Sequence, residues 1–408
     1  MNGSRFTILG GGMVAGYAAK QLVELGLKPG DLAILSADSS VPYERPPLSK
    51  GFLAGKDTEE GIRINPEEFY RKKGIDIKLE CEVSAVDSQR KRLILRNGGE
   101  FGFERLIVAT GARPRRLNIP GADLRNVHYL RTVNDSKAIR SALDGVTEAL
   151  VIGGGFIGME VAAVLAQAGI GVTMVLTGDR IGARLFSPEM SQFLEAYYAE
   201  RGVRLLKATS VSQLRGEDGV TAAVVVDGQT IPCQLVVVGI GVQPATEMLA
   251  NNGIEIGDGI VVNEYLETTQ ANILAAGDVA NYPDLIFGKR RRVEHWDNAV
   301  TQGQYCARVL LGERVAFKHV PYFFSDIFDL SYEYWGDASA ADQVIHRGDL
   351  RAKSFSAWWL QRTKLVAAFT MNRPDEEREV APRWIESGQP VSVARLKDAS
   401  QPLAAAAA

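Results

Sequence analysis

Short apolar runs alternate with longer stretches of helical spacing along the chain. Phe6-Thr7-Ile8-Leu9 and Leu32-Ala33-Ile34-Leu35 have strand length, and Met13–Leu25 between them has the apolar periodicity of a helix. A further strand, Arg105-Leu106-Ile107-Val108, runs into Ala109-Thr110-Gly111. From Ala149 the pattern restarts: strand Leu150-Val151-Ile152, helix Phe156–Ala168, strand Val172–Leu176. Leu235-Val236-Val237-Val238 then ends in Gly239-Ile240-Gly241, repeating the earlier strand-to-glycine ending. The chain thus carries an internal duplication, with one βαβ-type unit inserted into another. Beyond about Lys318 the pattern changes to aromatic-rich strands. Ser354–Leu360 and Lys364–Phe369 flank Gln361-Arg362-Thr363 as a predicted hairpin, in a region that includes Tyr322, Phe323, Phe324, Phe328, Tyr332, Tyr334 and Trp335. Most of these rings are expected to form the core of a third domain.

Each βαβ unit turns on glycines. Gly10-Gly11-Gly12-Met13-Val14-Ala15 and Gly153-Gly154-Gly155-Phe156-Ile157-Gly158 both follow an apolar strand and open a helix. The first glycine permits the tight turn, the second lets backbone approach a pyrophosphate, and the third lets helix pack on strand. The phosphate charge then rests at the helix N-terminus. The first copy ends in Ala15 rather than glycine. Two copies imply two dinucleotides, and a protein holding two can pass electrons between them. The expected fold is α/β: two Rossmann-like dinucleotide-binding domains, one inserted in the other, plus a C-terminal α+β domain.

Composition narrows the function. Of 408 residues, 46 % are hydrophobic and 23 % charged, as in ordinary globular proteins, and the length calls for more than one core. The net charge of −3 and pI near 6.0 argue against nucleic-acid binding. Apolar runs such as Leu235–Ile240 are far too short to span a membrane, and the strand starting near Arg5 leaves no room for a signal peptide, so a cytoplasmic location is expected. Cys81, Cys233 and Cys306 are widely separated, which leaves no metal cluster by local spacing and no redox dithiol. No metal site is expected.

Three segments carry a family resemblance: Val-Pro-Tyr-Glu-Arg-Pro-Pro-Leu-Ser-Lys from Val41 to Lys50, Ala275-Ala276-Gly277-Asp278, and Val293-Glu294-His295-Trp296-Asp297-Asn298-Ala299. Together they closely resemble one branch of the FAD-dependent pyridine nucleotide-disulfide oxidoreductase superfamily. That branch holds ferredoxin, rubredoxin and putidaredoxin reductases, monodehydroascorbate reductase and apoptosis-inducing factor. Ala15-Gly16-Tyr17-Ala18-Ala19, Gly26–Gly30, Arg184-Leu185-Phe186 and Tyr197-Tyr198 are especially similar to monodehydroascorbate reductase. The resemblance implies an FAD-binding domain at 1–112 and 242–317, an NAD(P)H-binding domain at 113–241, and an interface domain at 318–400. Residues 401–408 are expected to be a disordered tail or a cloning scar.

By the same resemblance, Gly10, Gly12, Ala15 and Asp38 hold the ADP half of FAD, with the Val83 backbone at the adenine. Arg45, Pro46 and Lys50 line the isoalloxazine, Thr110 and Arg131 contact the cofactor, and Asp278 meets its sugar chain. Gly153, Gly155, Ile157, Gly158 and Gly241 belong to the NAD(P)H site. Lys50 and Glu160 form an ion pair near the reacting flavin nitrogen, where the ammonium stabilises developing negative charge. Phe156 is a gate over the flavin, with a core phenylalanine as the alternative. Glu294 binds the nicotinamide carboxamide, and His295 and Trp296 sit at the flavin edge, Trp296 also shaping electron exit. Leu176 stands where an acid usually takes the nicotinamide ribose, although Asp179 is close by. The family favours NADH, while Arg180 or Arg184 keeps NADPH open.

Between Val41 and Leu53 there is no cysteine, where related disulfide reductases carry two and peroxidases one. The implied chemistry is hydride in and single electrons out, to a [2Fe–2S] ferredoxin-type partner. One alternative is reduction of the monodehydroascorbate radical. Another is an NADH-sensing protein resembling apoptosis-inducing factor, in which NADH drives dimerisation rather than turnover. Lys289–Arg292 with Arg113, Arg115 and Arg116 are candidates for steering an acidic acceptor, or else form a solvated strand face. Monomer and homodimer both remain open.

Overall fold

The computed structural model describes residues 3–403, which form two compact units. The first comprises the segment ending at Arg45, Glu59–Arg113 and Gln243–Pro321. Its parallel sheet has the strand order Asp76–Lys78, Leu32–Leu35, Gly3–Leu9, Glu100–Val108, Ile273–Ala275. The register sets Leu9 beside both Leu35 and Val108. Leu32–Leu35, Ile273–Ala275 and the stretch Leu106–Val108 read as unbroken apolar runs because both faces are covered there. Ile8, Ile34 and Ile107 are fully buried, and helix Met13–Glu24 contributes Ala15, Ala18, Ala19 and Leu22 to the same core.

The second unit comprises Pro46–Thr58, Pro114–Val242 and the segment from Tyr322 onward. One of its sheets repeats the first architecture in the order Val203–Leu206, Gly171–Val175, Glu148–Ile152, Leu235–Val238, Val127–Tyr129, all parallel. Ile152 lies beside Val175 and Val238 as Leu9 lies beside Leu35 and Val108. The duplication read from the sequence is therefore a duplication of topology. Each parallel sheet is also accompanied by antiparallel strands, Val83–Asp87 with Arg92–Leu95 in one unit and Val211–Arg215 with Ala222–Val225 in the other.

The remainder of the second unit is an antiparallel sheet in the order Tyr322–Ile327, Leu330–Gly336, Lys364–Met371, Ser354–Gln361, Gln343–Asp349. The predicted hairpin forms, with Arg362 in the left-handed region at φ 59°. Trp358, Phe355, Phe369 and Tyr332 fill its core, Phe355 stacking on Phe369 at 5.3 Å. Phe186 and Phe193, on the side of the nucleotide-type sheet, meet this core edge-on against Tyr332 and Phe355 at 5.6 and 5.9 Å.

The expected tail begins too early at 401. Buried Arg347 donates from Nη1 to the Asp398 carbonyl at 2.5 Å and from Nη2 to the Gln401 carbonyl at 2.6 Å, and Leu403 is buried. Only residues 404–408 of that tail lie outside the described residues. The same guanidinium bonds the Glu377 carboxylate at 3.0 Å, which Arg373 also holds at 2.6 Å. Burial alone would raise the Glu377 pKa, but bonds from Arg373, Ser356 and Arg347 prevail and hold it low. Its contribution is therefore present above the ordinary glutamate pKa and lost as pH falls through the lowered value. Glu377→Ala is expected to cost about 3 kcal/mol, because it leaves a buried charge without its partner. Urea unfolding checks this, and the acid-side loss of stability should shrink in Glu377→Gln.

Candidate functional site

The two glycine turns have the same geometry. Gly10 sits at φ +116°, where a Cβ would lie 2.2 Å from the Ala109 carbonyl oxygen; Gly153 sits at φ +120°, 2.2 Å from that of Gly239. Their N–H groups donate to Leu35 and Val175 at the end of the neighbouring strand, both at 2.8 Å. Gly12 and Gly155 are the N-caps of helices Met13–Glu24 and Phe156–Gln167, and neither helix has a side-chain cap or an acid in its first turn. A Cβ on Gly155 would meet nothing within 4 Å, and one on Gly12 only the Arg45 guanidinium at 3.6 Å. Each turn therefore leaves an open cradle where backbone donors and the helix dipole face outward, which fits a pyrophosphate. Gly158 is required for close packing, since its Cβ would lie 2.2 Å from the Gly153 carbonyl oxygen. Ala15, fully buried, occupies the matching position in the first copy.

Further candidates of the first unit gather near the first cradle. Gly277 packs so closely that a Cβ would lie 2.7 Å from Val14, and its N–H donates to Gln302 at 2.7 Å. This sets the buried Asp278 beside the start of the first nucleotide helix. Asp38 lies beyond strand Leu32–Leu35 and accepts from the Tyr43 hydroxyl at 2.7 Å. Thr110 Oγ1 donates to the Ala245 carbonyl at 2.6 Å, and Val83 is buried in the core. The Arg45 guanidinium lies close to Gly12, 3.6 Å from where a Cβ there would stand, and adds positive charge to the cradle.

Helix Trp296–Leu310 starts after the N-cap His295. Trp296 Nε1 donates to Glu44 Oε2 at 2.5 Å, and the Tyr17 hydroxyl donates to the other oxygen of Glu44. The two rings meet edge to face at 6.3 Å. Burial and the Glu44 bond push the Tyr17 phenol upward, keeping it a donor. Glu294 is paired with Arg292 at 2.8 Å. The basic run is largely engaged within the protein: Arg290 donates to the Val262 and Asn281 carbonyls, Arg291 pairs with buried Asp284 at 3.1 Å, and Arg292 also bonds Asp258. Arg113 pairs with Glu247, Arg115 donates to the Val242 carbonyl, and Arg116 lies over the Tyr129 ring. Lys289 and Arg290 nevertheless lie exposed on their strand, and the bonds of Arg290 go to uncharged carbonyls and leave its positive charge in place.

In the second unit, Lys50 and Glu160 meet as the sequence predicts, with Nζ 3.5 Å from Oε1. Glu160 is buried, and two residues absent from the sequence-based set also bind it: Ser49 Oγ donates to Oε2 and Ser325 Oγ to Oε1, each at 2.5 Å. Burial pushes the Glu160 carboxyl up against the opposing pull of Lys50 and both hydroxyls. Lys50 also lies 3.3 Å from Asp326 and 4.7 Å from the centre of the Phe324 ring. The backbone turn Pro46–Ser49 is tied to helix Val133–Ser141 by Ser136, whose hydroxyl donates to the Leu48 carbonyl. Arg131 precedes that helix, its N–H donating to Asp135 at 3.0 Å.

Phe156 is half-buried, its ring centre 3.8 Å from that of Phe323 at 36°, so it belongs to a two-ring contact rather than to the core. Ile157 beside it is exposed, and Gly241 takes φ +95° while its carbonyl accepts from Arg115 N–H. Leu176 backs Gly154, and the exposed Asp179 pairs with Arg180 at 3.4 Å. All three cysteines have thiols pushed up by burial, that of Cys233 to about 12. Among the described residues no group of His, Cys, Asp and Glu could hold a metal, and no helix is long and apolar enough to cross a membrane.

Residues 4–303 match the pyridine nucleotide-disulphide oxidoreductase family and 322–407 the reductase C-terminal family. The chain belongs to the pyridine nucleotide-disulphide oxidoreductases and is an NAD(P)H-dependent flavoprotein oxidoreductase. It is 36 % identical to peroxisomal monodehydroascorbate reductase 4 of Arabidopsis thaliana, over 92 % of this chain and 80 % of that one. Its structure is similar to a ferredoxin reductase from Rhodopseudomonas palustris, with TM-score 0.95 and 32 % identity over 99 % of this chain and 100 % of the other. It is also similar to the reductase in a covalent putidaredoxin reductase–putidaredoxin complex, with TM-score 0.94 and 33 % identity over 99 % of each chain.

The two glycines of the second cradle separate binding from folding. Gly155→Ala adds a methyl group to open space at an ordinary φ of −86°, so unfolding free energy should stay within about 0.5 kcal/mol while NADH affinity falls. Gly153→Ala clashes with backbone at positive φ and should also destabilise the protein by about 1–3 kcal/mol. Calorimetric NADH titration alongside urea unfolding distinguishes the two.

Proposed function

We propose that this protein takes reducing equivalents from NAD(P)H and passes single electrons to a [2Fe–2S] ferredoxin-type protein. The observation that carries the reading is the Lys50–Glu160 pair in a chain with no cysteine near it in sequence. FAD, when bound, supplies the conversion from two-electron to one-electron chemistry that no side chain here can perform. Residues 1–112 and 242–317 would bind it, with Gly10, Gly12, Ala15 and Arg45 receiving the pyrophosphate half, and Asp38, Val83, Thr110 and Asp278 the rest of the ADP and sugar chain. Pro46, Lys50, Arg131, His295 and Trp296 complete the assigned set. Residues 113–241 would hold NAD(P)H through Gly153, Gly155, Ile157, Gly158 and Gly241, with Phe156 as gate and Glu294 at the carboxamide.

Lys50 presents a fixed ammonium where negative charge develops on reduction, and its ion pairs with Glu160 and Asp326 orient it. The buried thiols are bystanders. Similarity to the ferredoxin reductase and to the putidaredoxin complex supports a small iron–sulfur acceptor. Similarity to monodehydroascorbate reductase 4 favours a second reading, in which the ascorbate radical takes the electrons.

Anaerobic stopped-flow decides between them. NADH should bleach the flavin absorbance quickly, and an oxidised [2Fe–2S] ferredoxin should then restore it as the cluster is reduced. Recovery with ascorbate radical but not with the cluster would favour the second reading. Lys50→Ala should retain flavin yet slow its reduction by about 100-fold. Asp278→Ala should instead lower the flavin content of the purified protein, measured by the ratio of flavin to protein absorbance.

A further inference from the structure

We propose that Ser49 and Ser325 are positioning residues that keep the Glu160 carboxylate ionised and aligned toward Lys50, one hydroxyl committed to each oxygen. This rests on the reading of Lys50 and Glu160 as the charged pair that serves the flavin.

The geometry separates the hydroxyls from the ammonium. Ser49 Oγ and Ser325 Oγ each lie 2.5 Å from their Glu160 oxygen, whereas Lys50 Nζ is 3.5 Å away and lies 3.3 Å from Asp326. At 3.5 Å the ammonium contributes charge rather than a strong hydrogen bond. The short bonds come from the serines. Both are buried, one on the turn Pro46–Ser49 and the other on strand Tyr322–Ile327, so their backbones fix where the carboxylate can sit.

The other titratable groups facing Glu160 do not replace them. Asp326 is the second carboxylate beside Lys50. Tyr198, on helix Pro188–Ala199, and Tyr332, on strand Leu330–Gly336, are kept neutral by burial, and the Tyr198 hydroxyl is spent on the Met159 carbonyl at 2.8 Å. An ionised carboxylate in this setting depends on donors, and hydrogen bonds to the charged form favour ionisation. Losing one such bond makes Glu160 about tenfold harder to ionise.

The test uses the flavin-loaded protein. Ser49→Ala, Ser325→Ala and Ser325→Thr are made in the native and Glu160→Gln backgrounds, and denaturant midpoints are measured from acid to mildly alkaline pH. The folded Glu160 pKa is raised, so its ionisation opposes folding as pH rises above the ordinary carboxylate value. Removing a hydroxyl raises it further. The alanine variants should therefore lose little stability at acid pH and progressively more as pH rises, and Glu160→Gln should abolish that pH dependence. Ser325→Thr, which keeps the hydroxyl, should restore the native profile. A loss of equal size at every pH and in both backgrounds would overturn the proposal and leave the serines as packing residues. A native protein whose flavin NADH does not bleach would sink the reductase reading while leaving the unfolding result to stand on its own.

Discussion

A carboxylate taken out of water must be compensated where it lies, and Glu160 imposes that requirement on the second unit. Its compensation arrives from three separate stretches: Lys50 and Ser49 from the turn at Pro46, Ser325 from the first strand of the antiparallel sheet, and the helix that carries Glu160 itself. An uncompensated buried charge costs several kcal/mol. The pair therefore orients Lys50 and also makes the docking of these segments mutually dependent. Asp326 and Phe324 extend the arrangement around the ammonium, so that one strand, Tyr322–Ile327, supplies a hydroxyl, a carboxylate and a ring.

The two nucleotide cradles follow from a different constraint. A strand that turns at once into a helix must bring backbone within contact of the neighbouring strand's exit. Only glycine takes φ near +120° there without a side chain striking a carbonyl. The same solution occurs at Gly10 and Gly153, down to the 2.8 Å bonds that anchor each turn. The cradles differ in charge. The first has the Arg45 guanidinium at its mouth, while the second is bare backbone.

The parallel sheets were legible in the sequence because their information is local: an apolar run, a glycine turn and a helical period occur within about thirty residues. The hairpin at Arg362 was legible for the same reason. The surroundings of the site residues were not. Ser49 stands inside the quoted Pro-Pro-Leu-Ser-Lys segment, yet its partner is 111 positions away, and Ser325 is 165 positions from Glu160. Glu44 bridges to Trp296 across 252 positions. No periodicity carries such pairings, and the only signal was that Ser49 and Glu44 lay within a recognised motif. The run Lys289–Arg292 shows what a charge string leaves unsaid. Lys289 and Arg290 lie exposed on their strand, but no sequence pattern tells that Arg290 also reaches carbonyl oxygens and Arg291 a buried aspartate.

The buried cysteines set a boundary on what this redox protein responds to. Oxidative signals enter most proteins through exposed, acidic thiols that become sulfenic acids or mixed disulfides. Here the thiols of Cys233 and Cys306 are enclosed and those of all three cysteines are shifted toward the protonated, unreactive form. Peroxide and glutathione therefore find little thiolate to mark at Cys233 and Cys306, and a more oxidising cell reaches this protein through the supply of reduced nicotinamide and the demand of its acceptor.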